Sequence, residues 1–313
     1  MPTNGPVLVT GAAGFVGSHL LELLADEAEI VGCLRPGTEP LVHGHGVRWV
    51  TAELQDQAEV TALVGAVRPR AVYHLAGSAH LGDSWNHTRE TFEGNVLASH
   101  HLFEALRAHA LTPRVLVTGS ATIYTPLDRV ITEDDPVLPT SPYGTSKLAQ
   151  EMLARRAWED DGLPTLLARS FNHVGPRQPP SFVASSIARQ IALIEAGRMP
   201  PVLTMGNLEP KRDIMDVRDT VRAYRALMES GRPGVPYNVC SGAAVAIREL
   251  VDHFRSRARI PVAIEQDPAR LRPNDVPLLV GDSTRLRTDT AWVRRIPLEQ
   301  TVDDLLAYWR GTI

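Results

Sequence analysis

Through the first half of the chain, short runs of apolar and β-branched residues alternate with longer stretches in which apolar positions recur at helical spacing. The runs at 7–10, 30–34, 47–50, 71–75, 115–118 and 166–170 predict strands. Their near-continuous hydrophobicity predicts burial on both faces, as in a parallel sheet. Helices are predicted at 18–25, 58–67, 93–108 and 143–160. Such βαβα alternation predicts an α/β fold with a doubly wound parallel sheet. After about residue 175 the pattern changes: prolines stand at 176, 179, 180, 200 and 201, and helices at 181–196 and 246–257 follow no strict strand alternation. This predicts a smaller mixed α/β lobe closing over the first unit. Ligands in such folds bind beyond the carboxyl ends of the strands.

Composition narrows the function classes. The 313 residues are 43% hydrophobic and 22% charged, ordinary for a globular protein able to bury a large core. A net charge of −4 without any lysine/arginine block argues against nucleic acid as a partner. No apolar run is long enough to span a bilayer and no signal peptide is recognised, so a cytoplasmic protein without a membrane partner is expected. Cys33 and Cys240 have no CxxC partner and read as buried small hydrophobes.

Candidate chemistry begins at the first strand–helix junction, Thr10-Gly11-Ala12-Ala13-Gly14-Phe15-Val16-Gly17. Gly11 permits a tight turn, Gly14 close approach of a pyrophosphate, and Gly17 close packing of helix on strand. The free N–H groups and the positive helix end then face phosphates. The spacing is GxxGxxG. With the predicted sheet it points to a Rossmann-like dinucleotide site. At the end of the second strand, Arg35 stands where an acidic residue would take the ribose hydroxyls of NAD, and its guanidinium suits a 2′-phosphate instead. NADP(H) is therefore expected, with NAD as the alternative.

A second cluster is Ser141-Pro142-Tyr143-Gly144-Thr145-Ser146-Lys147. Ser141 suits an N-cap and Pro142 a first helical turn, which places Tyr143 and Lys147 on one helical face. An adjacent ammonium favours the phenolate, and so lowers a pKa that is about 10 in a free phenol. Ser120 follows a buried strand and is expected to point into the same crevice. Other features read as structural. His43, His45, His100 and His101 lack the cluster a metal needs, so no metal is expected. Trp85, Trp158 and Trp309 read as packing residues, and Glu133-Asp134-Asp135 as a solvated loop.

These motifs resemble the nucleotide-sugar branch of the extended short-chain dehydrogenase/reductase family. The matching residues are the glycine turn, His74-Leu75-Ala76-Gly77, Asn95-Val96, Ser120, Tyr143 with Lys147, and Phe171-Asn172-His173-Val174-Gly175-Pro176. The likeness to GDP-mannose 4,6-dehydratases and GDP-4-keto-6-deoxymannose reductases rests on five further strings. These are Asp83-Ser84-Trp85, Gly206-Asn207-Leu208, Lys211-Arg212-Asp213, Tyr237 to Gly242, and Arg272 to Pro277. The resemblance implies a dinucleotide unit over 1–173, with 213–241 returning to it, and a substrate lobe over 174–212 and 242–313. It implies Ser120, Tyr143 and Lys147 as catalytic residues. Cofactor contacts are implied at Gly11, Ala13, Gly14, Phe15, Val16, Gly17, Arg35, Glu53, Leu54, Leu75, Ala76, Gly77, Asn95, Thr118, Tyr143, Lys147 and His173. Substrate contacts are implied at Ser120, Asn172, Val183, Arg212 and Arg272.

The implied partner is a nucleotide-diphosphate sugar, a GDP-sugar being favoured, and the implied assembly is a homodimer. Dehydratases of this branch carry an acidic residue where this chain has Thr122, which is too weak a base for elimination. The expected activity is thus reduction of a 4-keto sugar. A 4-epimerase with retained NAD is the alternative, and a 4,6-dehydratase is less favoured. The Ser–Tyr–Lys set argues against a binder without turnover.

Overall fold

The computed structural model describes residues 5–27, 29–42, 46–79, 81–270 and 276–313. Strand β1 (Val7–Thr10) turns at the glycines into α1 (Phe15–Leu23), followed by β2 (Ile30–Leu34), β3 (Val47–Thr51), α2 (Gln57–Val67) and β4 (Ala71–His74). Next come α3 (Thr88–Phe92), α4 (Ala98–Ala108), β5 (Arg114–Ser120), α5 (Pro142–Asp161) and β6 (Thr165–Ser170). The chain continues through β7 (Asn172–Val174), α6 (Val183–Glu195), β8 (Val202–Met205), β9 (Lys211–Asp216), α7 (Val217–Ser230) and β10 (Pro236–Val239). It ends with β11 (Ala244–Ala246), α8 (Ile247–Arg255), β12 (Ala263–Gln266), β13 (Leu278–Leu279), α9 (Thr284–Thr290) and α10 (Leu298–Thr312).

Among the described residues, seven parallel strands form one sheet in the order β10-β6-β5-β4-β1-β2-β3. Strand alternation divides its side chains between two cores. Val7, Val9, Tyr73, Leu116 and Ala168 face one core, which α1, α7 and α9 cover. Leu8, Val31, Val72, Val115 and Leu167 face the other, under α2, α4 and α5. Burial on both faces explains why these strands read as unbroken apolar runs. Strand order reverses direction at β1, between β4 and β2, and a crevice opens at the carboxyl ends of such strands. A separate core joins α6, α8, α10 and β8, beside a small sheet in which β9 pairs with β7, β11 and β13.

Three local details position the site. Helix α5 starts one residue before its prediction because Ser141 Oγ accepts the Gly144 N–H at 3.0 Å and Pro142 fills the first turn. The helix predicted at 93–108 instead begins at Thr88 and widens into a π turn over Glu93–Leu97. That turn buries Asn95, whose Nδ2 donates to Ser146 Oγ at 2.9 Å. The acidic run is solvated only at Asp134: Glu133 is buried and accepts the Asn238 N–H at 2.8 Å, while Asp135 is gripped by Arg129 at 2.6 and 2.9 Å. Burial pushes the Glu133 carboxyl up. A charge run read without its partners misses both contacts.

Candidate active site

A cleft of about 1690 Å³ runs from the glycine-rich turn, past the ends of β4 and β5, to β8 and β9. A drug-sized ligand needs roughly 300–1,000 Å³, so there is room for two ligands at once. At the turn, Gly11 has φ +68°, and a Cβ there would sit 2.7 Å from Ala76 N and 2.8 Å from Leu75 C. A Cβ at Gly17 would collide with the Gly11 carbonyl, so α1 can approach β1 this closely only with glycine there. Ala13, Gly14, Phe15 and Val16 complete the turn on the cleft side.

Along the same wall lie Leu75, Ala76 and Gly77 from the end of β4, and Glu53 and Leu54 beyond β3. Gly77 has φ +152°, and its missing Cβ would strike Asn95 Oδ1, a buried atom with no hydrogen-bond partner. Arg35 is exposed at the end of β2 on a turn that Thr38 closes, its N–H and Oγ1 donating to the Arg35 carbonyl at 3.1 and 2.7 Å. Thr38 also lines the cleft and was not singled out from sequence, where Pro36-Gly37 signals only a turn.

The Ser–Tyr–Lys residues converge. Ser120 ends β5, and its Oγ lies 2.9 Å from Thr122 Oγ1 and accepts the Thr122 N–H at 3.2 Å. The Ser120 side chain lies beside the Tyr143 phenol and favours its ionised form. The expectation that Lys147 lowers the tyrosine's pKa is corrected: burial raises it, and the neighbouring Ser120 side chain opposes that only in part. Lys147 Nζ lies 6.0 Å from the Tyr143 ring centroid and donates to the Thr118 carbonyl and Gln150 Oε1, each at 3.0 Å. Burial of this ammonium pulls its own pKa down to about 8. Thr118 and Asn95 stand behind the cleft lining, while Lys147 Nζ reaches it beside Gly77, where a Cβ would lie 3.6 Å from the ammonium.

On the β7 side, the His173 ring stacks on Phe15 with centroids 6.0 Å apart and planes 20° apart. Its Nδ1 lies 3.1 Å from the Phe171 carbonyl, and burial keeps it neutral by lowering its pKa. Gln178, also missed from sequence, donates from Nε2 to the His173 carbonyl at 2.9 Å and keeps a buried, unpartnered Oε1. Asn172 and Val183 are exposed to the cleft. Arg212 lines it too, with Nη1 donating to the carbonyls of Lys211 at 2.9 Å and Val276 at 2.6 Å.

Arg272 lies outside the described residues, as do His43 and His45. Trp85 is corrected as well: it is 55% exposed and lines the cleft, whereas Trp309 is buried as expected. Trp158 is 37% exposed, with its ring edge against Gly234. Among the described residues no cluster suits a metal ion, and no helix is long and apolar enough to cross a membrane.

Comparison with known proteins places this geometry. The chain is 33% identical over 310 residues to GDP-6-deoxy-D-mannose reductase of Pseudomonas aeruginosa, covering 98% of each chain. The solved structure of RMD from Pseudomonas aeruginosa complexed with NADPH superposes with a TM-score of 0.85 at 31% identity, over 99% of this chain and 100% of that one. The Thermus thermophilus UDP-glucose 4-epimerase in complex with NAD gives 0.88 at 26% identity, over 98% and 100%. The family model described as GDP-mannose 4,6 dehydratase matches residues 8–305, from β1 through the cleft to α10. With the glycine turn, the Ser–Tyr–Lys set and the cleft all inside that span, the chain belongs to the GDP-mannose 4,6-dehydratase family of extended short-chain dehydrogenase/reductase enzymes.

Proposed function

We propose that this enzyme is an NADP(H)-dependent nucleotide-sugar 4-ketoreductase, with GDP-4-keto-6-deoxy-D-mannose or a close analogue as substrate. The observation that carries the reading is a phenol on the wall of a cleft with room for two ligands: Tyr143, beside Ser120, with its proton held more tightly because burial raises its pKa. Reduction of a carbonyl consumes a proton, and a resting acid is what that step needs. An elimination needs a base, and the residue hydrogen-bonded to Ser120 is Thr122, a hydroxyl rather than a carboxylate. The similarity to the Pseudomonas aeruginosa reductase supports the same choice of substrate.

The residues present fit a dinucleotide. At Gly11 and Gly77 a Cβ would strike the chain itself, so both turns along this wall require glycine. Gly14 lines the cleft at the N-cap of α1, and exposed Arg35 with Thr38 suits a 2′-phosphate. Bound there, reduced nicotinamide supplies the hydride for C4. Tyr143 gives its phenolic proton to the oxygen on C4, and Ser120 Oγ hydrogen-bonds the same oxygen. An alkoxide is a far stronger base than a phenolate, so the raised pKa of Tyr143 does not impede the transfer. Lys147 uses its remaining donor to hold the nicotinamide ribose, and Arg212 holds the nucleotide diphosphate. We assign 1–173 and 213–241 to the cofactor unit, and 174–212 and 242–313 to the substrate lobe.

The test is absorbance of reduced nicotinamide with purified enzyme, NADPH and GDP-4-keto-6-deoxymannose. Stoichiometric NADPH loss that disappears in Tyr143→Phe is expected. NAD retained on the purified protein, with no NADPH consumed, would overturn the reductase in favour of the epimerase.

A further inference from the structure

Behind the cleft wall lies a string of buried polar side chains that, Lys147 apart, no step above uses. Lys147 Nζ donates to Gln150 Oε1 (3.0 Å), Gln150 Nε2 donates to Ser99 Oγ (2.7 Å), and Ser99 Oγ donates to the Asn95 carbonyl (2.7 Å). On the other side of Ser99, its Oγ meets His74 Nε2 at 2.9 Å, while His74 Nδ1 meets Thr10 Oγ1 at 2.8 Å. Thr10 Oγ1 in turn accepts the Ala76 N–H at 3.3 Å. Thr10, His74, Ser99 and Gln150 have no solvent exposure. The string thus crosses from β1 through β4 and α4 to α5, from the root of the glycine-rich turn to the ammonium beside Tyr143.

Counting protons gives every link a direction. A hydroxyl has one hydrogen, and that of Ser99 goes to a carbonyl that can only accept. Ser99 must then accept from both Gln150 and His74. His74 therefore carries its proton on Nε2, and Nδ1 takes the proton of Thr10. The Gln150 amide is oriented by the same logic: with Nε2 on Ser99, its oxygen faces an ammonium that can only donate. A flipped amide would set donors against donors. A protonated His74 would place a second buried cation within reach of the field of Lys147 and reverse the Thr10 link.

We propose that Gln150 and His74 are positioning residues of the reductase, locking the Lys147 ammonium through Ser99 to the glycine-rich turn so that cofactor seat and catalytic helix keep one register. The proposal rests on the reading of Lys147 as the group that holds the nicotinamide ribose. A lysine has four rotatable side-chain bonds, and here two buried acceptors, the Thr118 carbonyl and Gln150 Oε1, take its ammonium. Removing one tether lets the ammonium wander by an ångström or more, an error that costs up to about 100-fold in a positioned reaction. Lys147 and Gln150 sit three apart on α5, so one helical face supplies both the cation and its tether.

The test combines two variants with one measurement on the unaltered protein. Gln150→Leu keeps the volume and removes the acceptor; NADPH binding, followed by nicotinamide fluorescence, is expected to weaken about tenfold. In the same variant kcat should fall with little change in the KM for sugar. Gln150→Glu restores an acceptor and should recover NADPH affinity to within about threefold. A carboxylate there favours the ammonium, so the alkaline limb of the kcat profile moves to higher pH, which a merely structural glutamine would not cause. The titratable neighbours in this profile are Tyr143, 6.0 Å from Lys147 Nζ, and His74. In the unaltered protein, ¹⁵N NMR should find His74 neutral with its proton on Nε2.

A Gln150→Leu enzyme that binds NADPH as tightly as the parent, or a His74 protonated on Nδ1, would overturn the proposal. If Gln150→Leu fails to fold, the Gln150→Glu profile and the NMR decide. Intact NADPH binding and tautomer without turnover of any 4-keto sugar would instead condemn the assigned reaction and leave the positioning role standing.

Discussion

Tyr143 and Lys147 stand among side chains that are buried and hydrogen-bonded before any ligand arrives, whereas Trp85, Asn172 and Val183, lining the same cleft, are open to solvent. On the first side, position is over-determined: Ser120 is fixed by Thr122, Lys147 by Thr118 and Gln150, and Asn95 by Ser146. On the second side the backbone is held while the tips of the side chains are free. Groups that stabilise developing charge act best when preorganised, because no reorganisation is needed at the moment of reaction. Groups that recognise a substrate can be ordered on binding, at a cost in affinity rather than in kcat. The difference predicts that substitutions in the two regions change different kinetic constants.

The hardest blow to this division is Tyr143→Phe. Loss of the acid is expected to lower kcat by about 10³-fold, while NADPH binding and thermal stability remain close to the parent. A variant that lost binding as well would mean that the phenol is part of the scaffold. Arg35→Glu comes next, on the exposed edge of the cofactor seat. Replacing a cation that meets a 2′-phosphate should raise the KM for NADPH by roughly 10- to 100-fold, with NADH little affected. Equal losses with both cofactors would remove Arg35 from phosphate recognition. Steady-state kinetics with each cofactor read both variants.

What the sequence made legible follows the same line. Features set by neighbours in the chain could be read directly: the strand runs, the Ser141–Pro142 start of α5, and the turn in which Gly11 must adopt φ +68°. Features set by distant partners could not. His74 finds Thr10 across 64 positions and Gln150 finds Ser99 across 51, so nothing local marks either as part of the Lys147 support. Glu133 read as solvated because its partner, the Asn238 N–H, lies 105 residues away. The direction of the Tyr143 shift depends on burial in three dimensions, and spacing along a helix speaks only of its nearest cation. Trp85 misled for the opposite reason: an isolated tryptophan between short polar segments reads as core unless its turn is known to sit at the edge of a cleft.

The buried side should also betray itself in acid. Burial lowers the pKa of His74 to about 3 and depresses His19 and His173 as well. A histidine that is harder to protonate when folded binds its proton first in the unfolded chain. Its contribution is complete above the unfolded value of 6.5 and is lost as pH falls towards the folded one. For His74 alone, stability should decline by about 1.4 kcal/mol per pH unit below that value. Ordinary carboxylates titrate lower, near 4. Burial raises Glu133 and Asp213, however, which take up protons first in the folded state and oppose the loss. The share of His74 is therefore read as the difference between parent and variant in denaturant melts between about pH 6.5 and 4.5. His74→Asn should flatten the slope by the share that His74 carries. An unchanged slope would place the acid sensitivity in His19 and His173.

The smallest effect belongs to the exposed side, and Trp85 tests it most sharply. Its short turn, Asp83–Trp85, packs against α5 and is pinned by Ser84, whose Oγ donates to the Leu81 carbonyl at 2.7 Å and whose carbonyl accepts from Thr88 Oγ1 at 2.8 Å. The backbone is thus fixed while the indole, 55% exposed, offers an apolar face to the cleft. Trp85→Ala removes that face without opening a cavity, so stability should change by less than about 0.5 kcal/mol. A sugar ring stacked on the indole would lose contact in the ground state and the transition state alike, which raises KM and leaves kcat in place. An increase of about three- to tenfold in the KM for the keto sugar, at constant kcat and constant NADPH affinity, is the expected outcome. If kcat falls in step with the rise in KM, the indole helps to place C4 against Tyr143. The division between a rigid reacting wall and an adaptable recognising rim would then have to be redrawn, with the Asp83–Trp85 turn on the reacting side.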